Sequence, residues 1–443
     1  MRSCTRSCKP LWIQSGGMGN SYSLGAWWRS EASGMSAGTS ILPKKQAVAV
    51  PARSAAGGSL RSLLGEAAGS LGDIGTFVPI AVAMVAMAGM DAGAILVTAG
   101  MANILSGLAF GIPIAVQPMK AIGALVIAGS LTGAQAVAAG LCVGLAMLVL
   151  GSLNLVETVA RRVPLAVVRA LQFTVASELL LRGLQFAAGP ALSAPTLGRA
   201  VLSGGAVGGA AVSLWLMRRR LEWAAIGLLA GGLAIAGWQH PELLVVPEAA
   251  LWRPHLVALG RGVWEGVWMG GLPQIPLTFL NSVLAVTVLA AQLFPHRAAR
   301  LEPSRLAASV GLMNLLICPF GAMPLCHGSG GLAGQYRLGA RTGLSVILLG
   351  SVKLILGLFF GAAALAWMQA FPKSVLGLFL LVAGWSLASA SRAWSSRHGA
   401  VTLLIMAGLY HVTGNLLLSF VSGWLVWRIL GELQRNLGER RKD

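Results

Sequence analysis

Apolar runs of about 20 residues recur along this chain from Leu71 to Trp427, and a helix of that length matches the hydrocarbon core of a bilayer. No other feature limits the fold so strongly. Only 11% of the 443 residues are charged and 56% are hydrophobic, whereas soluble domains carry about 25% charged residues. The runs are continuous and rich in Gly, Ala and Leu rather than alternating, which excludes a β-barrel. The expected fold class is an all-α polytopic membrane protein.

Spans are expected near 71–89, 93–111, 118–131, 133–153, 165–184, 200–217 and 223–238. A second set follows near 271–293, 306–319, 327–336, 343–368, 373–390, 399–411 and 413–430, about fourteen in all. The third and tenth are too short to cross alone. With the amino terminus inside, alternation puts most of the 33 Lys and Arg residues on the cytoplasmic side, among them Arg218 to Arg220, Arg297, Arg300 and Arg305. Outside loops receive Arg182, Arg199, Arg253, Arg261 and Lys373, while Lys120 and Lys353 stay within membrane segments. The net charge of +19 is therefore a topology signal, with no support for nucleic-acid binding.

Seven spans per half is an odd number, so the halves must run in opposite directions, as a seven-plus-seven inverted repeat. Residues 59–238 form the first repeat, 239–270 an extramembrane loop and 271–430 the second repeat. Pro113 and Pro118 are five apart, as are Pro319 and Pro324, which pairs the third segment with the tenth. Residues 1–58 are expected to form a basic, disordered extension, whose one carboxylate is Glu31, readable as a cytoplasmic tail or as a transit peptide. Residues 431–443 are expected to form a short cytoplasmic tail without a large carboxy-terminal domain, and the charge distribution over an even number of spans puts both termini in the cytoplasm. The destination is the plasma membrane or an intracellular organelle membrane. The five cysteines are too scattered for a disulfide framework.

Pro118 and Pro324 are expected to break the third and tenth segments. Proline cannot continue a helix ladder but suits a first helical position, so each would start a half-helix at mid-membrane. A helix start carries free N–H groups and the positive end of the dipole, a natural oxyanion seat. Met119, Lys120 and Ala121 follow one start, and His327, Gly328, Ser329, Gly330 and Gly331 open the other, with Gln117 beside them. The glycine run lacks the Gly-Lys-Ser/Thr ending of a nucleotide loop, and no cofactor or metal is expected.

Several residues carry two readings. Lys120 can balance an anion or pair with Asp73. Asp73 can carry a coupling proton or cap the first helix. His327 can titrate or serve as a structural hydrogen-bonding group. Gln274 and Asn281 can bind oxyanion oxygens or link helices. Glu178 and Arg182 are spaced to pair along one helix.

The stretches "PIAVQPMKAIGA" (Pro113–Ala124) and "PFGAMPLCHGSGGLAGQYRLGART" (Pro319–Thr342) resemble the two signature motifs of the plant and algal high-affinity molybdate transporters, distant members of the sulfate permease superfamily. The likeness extends from about Gly65 to Gly431. It implies fourteen segments in core and gate domains, molybdate as substrate, a site flanked by Gln117 to Ala124 and Met323 to Gln335, and a possible homodimer. The expectation is secondary active import of molybdate from the lipid bilayer's outer side. An elevator-like core would move against a gate of segments 5–7 and 12–14. Carriers of sulfate, bicarbonate or a nucleobase, and a passive anion channel, are the alternatives.

Overall fold

The computed structural model describes residues 60–160, 162, 164–192, 221–245, 249–260, 262–298, 301–391 and 397–439. The expected sixth span and the 1–58 extension lie outside the described residues. Helix α1 (Leu60–Ser70) runs through a 3-10 turn, Leu71–Asp73, into α2 (Ile74–Ala88). Then follow α3 (Ala92–Phe110), β1 (Val116–Pro118), α4 (Lys120–Ile127), α5 (Gly133–Ser152), α6 (Val156–Ala160), α7 (Leu165–Leu192) and α8 (Leu221–Gln239). The run Val263–Leu293 is α9, followed by α10 (Pro295–Ala298), α11 (Pro303–Ile317), β2 (Leu325–His327) and α12 (Ser329–Arg337). The chain closes with α13 (Leu344–Ala370), α14 (Lys373–Ser391), α15 (Arg397–Thr413) and α16 (Leu416–Glu439).

Among the described residues, six helices are long and apolar enough to cross a membrane, and three shorter apolar helices accompany them. Local chemistry sets their ends. Asp91 caps α3 by accepting the Gly93 amide at 2.8 Å, and α3 stops at Gly111, whose φ of 65° is open to glycine. Thr132 and Gln135 form a reciprocal capping box on α5. Several boundaries differ from expectation: the first helical run starts at Leu60 rather than near 71, and α7 runs past 184 to Leu192. Helix α9 begins at Val263, so the 239–270 loop is shorter than its composition suggests, and α16 continues past 430 to Glu439.

Three helix pairs give the fold its frame: α3 on α13, α5 on α11, and α7 on α14. Glycines set their closeness, as packing without a hydrophobic driving force requires. A Cβ on Gly100 would lie 2.6 Å from the Leu354 amide nitrogen, and one on Gly183 would lie 2.9 Å from the Gly377 carbonyl. A buried apolar cluster that includes Ile80, Met84, Ile122, Leu125, Leu171 and Phe379 joins these pairs to α2 and α4.

Helix α9 is not regular: π-helical turns at Gly266–Gly271 and Phe279–Leu284 flank Pro273 and Pro276. Helix α13 is kinked at Phe360. The carbonyls of Leu358 and Phe359 beside that kink accept the Trp252 and Ala250 amides at 2.7 and 2.9 Å, while the Trp252 indole donates to Asp91 at 2.8 Å. The loop before α9 is thereby fastened to two helices.

Candidate functional site

The two short helices are built alike. At about 1.5 Å per residue, the eight residues of α4 and the nine of α12 each span less than half of a bilayer core. Each follows a three-residue strand, and β1 pairs with β2 antiparallel, with Val116 opposite His327, Gln117 opposite Cys326 and Pro118 opposite Leu325. The pairing extends to Met119 N on the Pro324 carbonyl at 2.9 Å and Gly328 N on the Ala115 carbonyl at 3.3 Å. Extended backbone at membrane depth must be satisfied by protein. Asn103 of α3 accepts the Val116 amide at 2.9 Å, and Asn314 of α11 accepts the Leu325 amide at 2.9 Å and donates to the Leu325 carbonyl at 2.6 Å. One asparagine braces each strand.

The antiparallel pair brings the starts of α4 and α12 together, but they differ in occupancy. Gln274 of α9 reaches α4, its Oε1 accepting the Ala121 and Ile122 amides at 2.9 and 3.4 Å while its Nε2 donates to Thr278 at 2.9 Å. The ladder of α12 begins with Leu332 N on the Gly328 carbonyl, leaving the amides of Ser329, Gly330 and Gly331 outside it. Around the junction Gln117, Met119, Ala121 and Gly328 are buried; Lys120 and Ser329 are half-buried, and Gly330 is exposed. A Cβ on Gly330 would meet nothing within 4 Å, so open space lies beside the first turn of this helix.

Gln117 ties the two starts together. It accepts Lys120 Nζ at 3.4 Å and donates from Nε2 to Asp73 Oδ1. Glycine is required on the α12 side: a Cβ on Gly328 would overlap the Gln117 side chain, and one on Gly331 would come 2.6 Å from Gln117 Nε2. Asp73 is fully buried, and its other oxygen lies 4.0 Å from Lys353 Nζ. Lys353 was legible only as a lone lysine in an apolar span, and its pairing was not.

The structure corrects several expectations. Asp73 stands at the N-cap of α2 but makes no side-chain capping bond, and its ionic partner is Lys353 rather than Lys120. Neither proline opens a helix: Pro118 ends β1 two residues before α4, and Pro324 precedes β2. The helix starts therefore align Gln117 with Cys326, and the equal proline spacings do not correspond. His327 does not join the cluster. Strand alternation turns its ring to the opposite side, onto Ser309 at 2.8 Å and edge-on to Phe110. Asn281 is half-buried and makes no side-chain hydrogen bond among the described residues. Glu178 and Arg182 do pair, at 2.8 Å, and Arg182 also donates to the Ala128 carbonyl at the end of α4, at 3.0 Å.

Comparison with known proteins follows the same residues. The family model described as "Molybdate transporter of MFS superfamily" matches residues 65–179 and 266–387, which include both strand–helix junctions. Molybdate transporter 1 of Arabidopsis thaliana is 32% identical over 421 residues, covering 86% of this chain and 91% of its own length. In fold, the chain is similar to the transmembrane domain of a cyanobacterial bicarbonate transporter, BicA, with a TM-score of 0.58 at 16% identity over 82% of this chain and 98% of that one. It is also similar to the murine solute carrier 26 family member A9 anion transporter in its inward-facing state. There the TM-score is 0.62 at 14% identity, over 96% of this chain and 77% of that one.

Proposed function

The chain belongs to the molybdate transporter family, and from that membership we propose that it is a secondary active transporter that imports molybdate. The anion sits in the space before α12. Its oxygens take the amides of Ser329, Gly330 and Gly331 and the Ser329 hydroxyl, and Lys120 supplies a full positive charge from the α4 side. The observation that carries this reading is the uncapped, exposed start of α12 beside Gln117 and Lys120. A helix start contributes about half a unit charge, so Lys120 and α12 together offset most of a dianion's charge. Gln274 holds the amides of α4, which makes the site one-sided: its backbone donors come from α12 and its cation from α4.

The wider mechanism is an inverted repeat of about fourteen segments in which a core carrying both half-helices moves against a gate. Reciprocal packing supports it: the second span lies on the eleventh (α3 on α13) and the fourth on the ninth (α5 on α11). The plasma membrane, with both termini in the cytoplasm, is the expected setting. The test is uptake of radiolabelled molybdate into proteoliposomes with sulfate in excess. Saturable uptake that sulfate barely inhibits supports molybdate; equal competition widens the substrate to tetrahedral oxyanions, and non-saturating flux makes the protein a channel.

A further inference from the structure

Lys353 and Asp73 form an ion pair that the anion site does not use. Lys353 lies in the first half of α13 and is 5% exposed; Asp73 is 0% exposed. Their nearest atoms are 4.0 Å apart, and neither Lys353 Nζ nor Asp73 Oδ2 makes a hydrogen bond. The Phe77 ring lies 3.4 Å from the ammonium. A buried ammonium with no hydrogen bond, facing a buried carboxylate with one oxygen bare, is costly to keep in a membrane protein, and such groups mark a task.

Their position suggests which task. Lys353, Asp73, Gln117 and Lys120 stand in one row, an ion pair followed by two hydrogen bonds, that ends at the first residue of α4. Among the described residues, the charges that act on Asp73 are Lys353 from α13 and Lys120 from α4, and Cys326 of β2 is a further titratable group nearby. Glu66 of α1 is turned away, onto the Arg341 amide at 2.9 Å. With Asp73 ionised the row is net positive by one charge. A dianion at its end makes it net negative by one, and a proton on Asp73 brings it to zero. A cavity of about 720 Å³, walled by Phe77, Leu229, Leu233 and Trp367, is lined by Asp73 and Lys353 as well, so the pair is approached from a side other than the anion's.

We propose that Asp73 and Lys353 are the proton site of the transporter. Lys353 holds Asp73 ionised while the anion seat is empty, and the Asp73 carboxylate binds one proton to become the neutral acid as the dianion arrives. Lys120 remains the anion's counter-charge, while Lys353, set behind Asp73 and Gln117, acts on Asp73. One proton enters with each anion. This inference rests on the anion site proposed above.

The test uses the full chain in proteoliposomes with the membrane potential clamped at zero. Two fluxes of radiolabelled molybdate are measured: exchange at equal pH on both sides, and accumulation under an imposed pH gradient, acid outside. Coupling to one proton gives roughly tenfold accumulation per pH unit, and coupling to two gives roughly a hundredfold. The charge-free pair Asp73→Asn with Lys353→Met is expected to retain exchange at equal pH and to show no response to the gradient. Lys353→Met alone is expected to be equally unresponsive, because a carboxylate stripped of its counter-charge stays protonated. Gradient-driven accumulation in the double variant overturns the proposal, as does a hundredfold slope or a flat response in the wild type. So does loss of equal-pH exchange in a folded double variant, which would make the pair part of the anion seat. If the wild type exchanges sulfate and not molybdate, the substrate reading fails and the same ratios taken with sulfate judge the proton site. If it exchanges neither, both readings fall.

Discussion

Adjacent glycines at the start of α12 should respond to alanine in opposite ways. At Gly331 a new Cβ would lie 2.6 Å from Gln117 Nε2, 2.8 Å from Ala115 Cβ and 2.9 Å from Asp73 Oδ1. Overpacking of this kind costs typically about 1–3 kcal/mol, and here it also wedges Gln117 away from Asp73. At Gly330 the new Cβ would meet nothing within 4 Å. Alanine gains up to about 1 kcal/mol over glycine within a helix, so Gly330→Ala should melt at or above the wild-type temperature. Its methyl would nevertheless project into the space assigned to the anion. If crowding there costs about 1–3 kcal/mol, molybdate affinity falls roughly five- to 150-fold. The assay pairs thermal melting of detergent-purified protein with equilibrium binding of radiolabelled molybdate. Wild-type affinity in a folded Gly330→Ala protein would refute the placement of the anion, and unchanged melting of Gly331→Ala would refute the packing argument.

Three further outcomes follow from the hydrogen bonds. Asn314→Ala strips both the amide and the carbonyl of Leu325, whereas Asn103→Ala strips only the Val116 amide. At about 1–3 kcal/mol per orphaned buried group, Asn314→Ala should lower the melting temperature by more than Asn103→Ala does, and the reverse order would contradict the bracing scheme. Arg182→Met removes the contact to the Ala128 carbonyl and leaves Glu178 with His411 at 3.6 Å. Because Arg182 is one-third exposed, a loss of about 1–2 kcal/mol is expected on melting, with Arg182→Lys recovering part of it. Trp252→Phe loses the bond to Asp91, worth about 0.5–1.5 kcal/mol, and should speed proteolytic cleavage within residues 249–260.

Much of the helical layout was legible because bilayer thickness sets a length that apolar runs must match. The short third and tenth elements were legible too, since Pro, Gln and Lys interrupt an apolar run only where a helix breaks. Spacing along the chain could not reveal which side chains meet across it. The proline pairs share a spacing but not a place, since Pro118 stands two residues before α4 and Pro324 five before α12. His327 stands within the signature motif yet faces away from Gln117, a consequence of strand pleat that composition does not carry. Lys120 and Asp73 suggested a direct pair; in the fold Gln117 lies between them, and Lys353, 280 residues from Asp73 in the numbering, takes the carboxylate. Gln274 stood out beside Pro273 and Pro276, but that it holds the amides of α4 depends on how α9 packs.

The central claim is that a tetrahedral dianion sits at the start of α12, with Lys120 as its counter-charge. A structure of the protein soaked in molybdate, with the molybdenum located by its anomalous scattering, tests this most directly. The account predicts a single strong peak before α12, with oxygens in hydrogen-bond reach of the Gly330 amide and Lys120 Nζ, that is lost in Lys120→Ala. A peak beside His327 and Ser309, or one at the α12 start that survives Lys120→Ala undiminished, would contradict it.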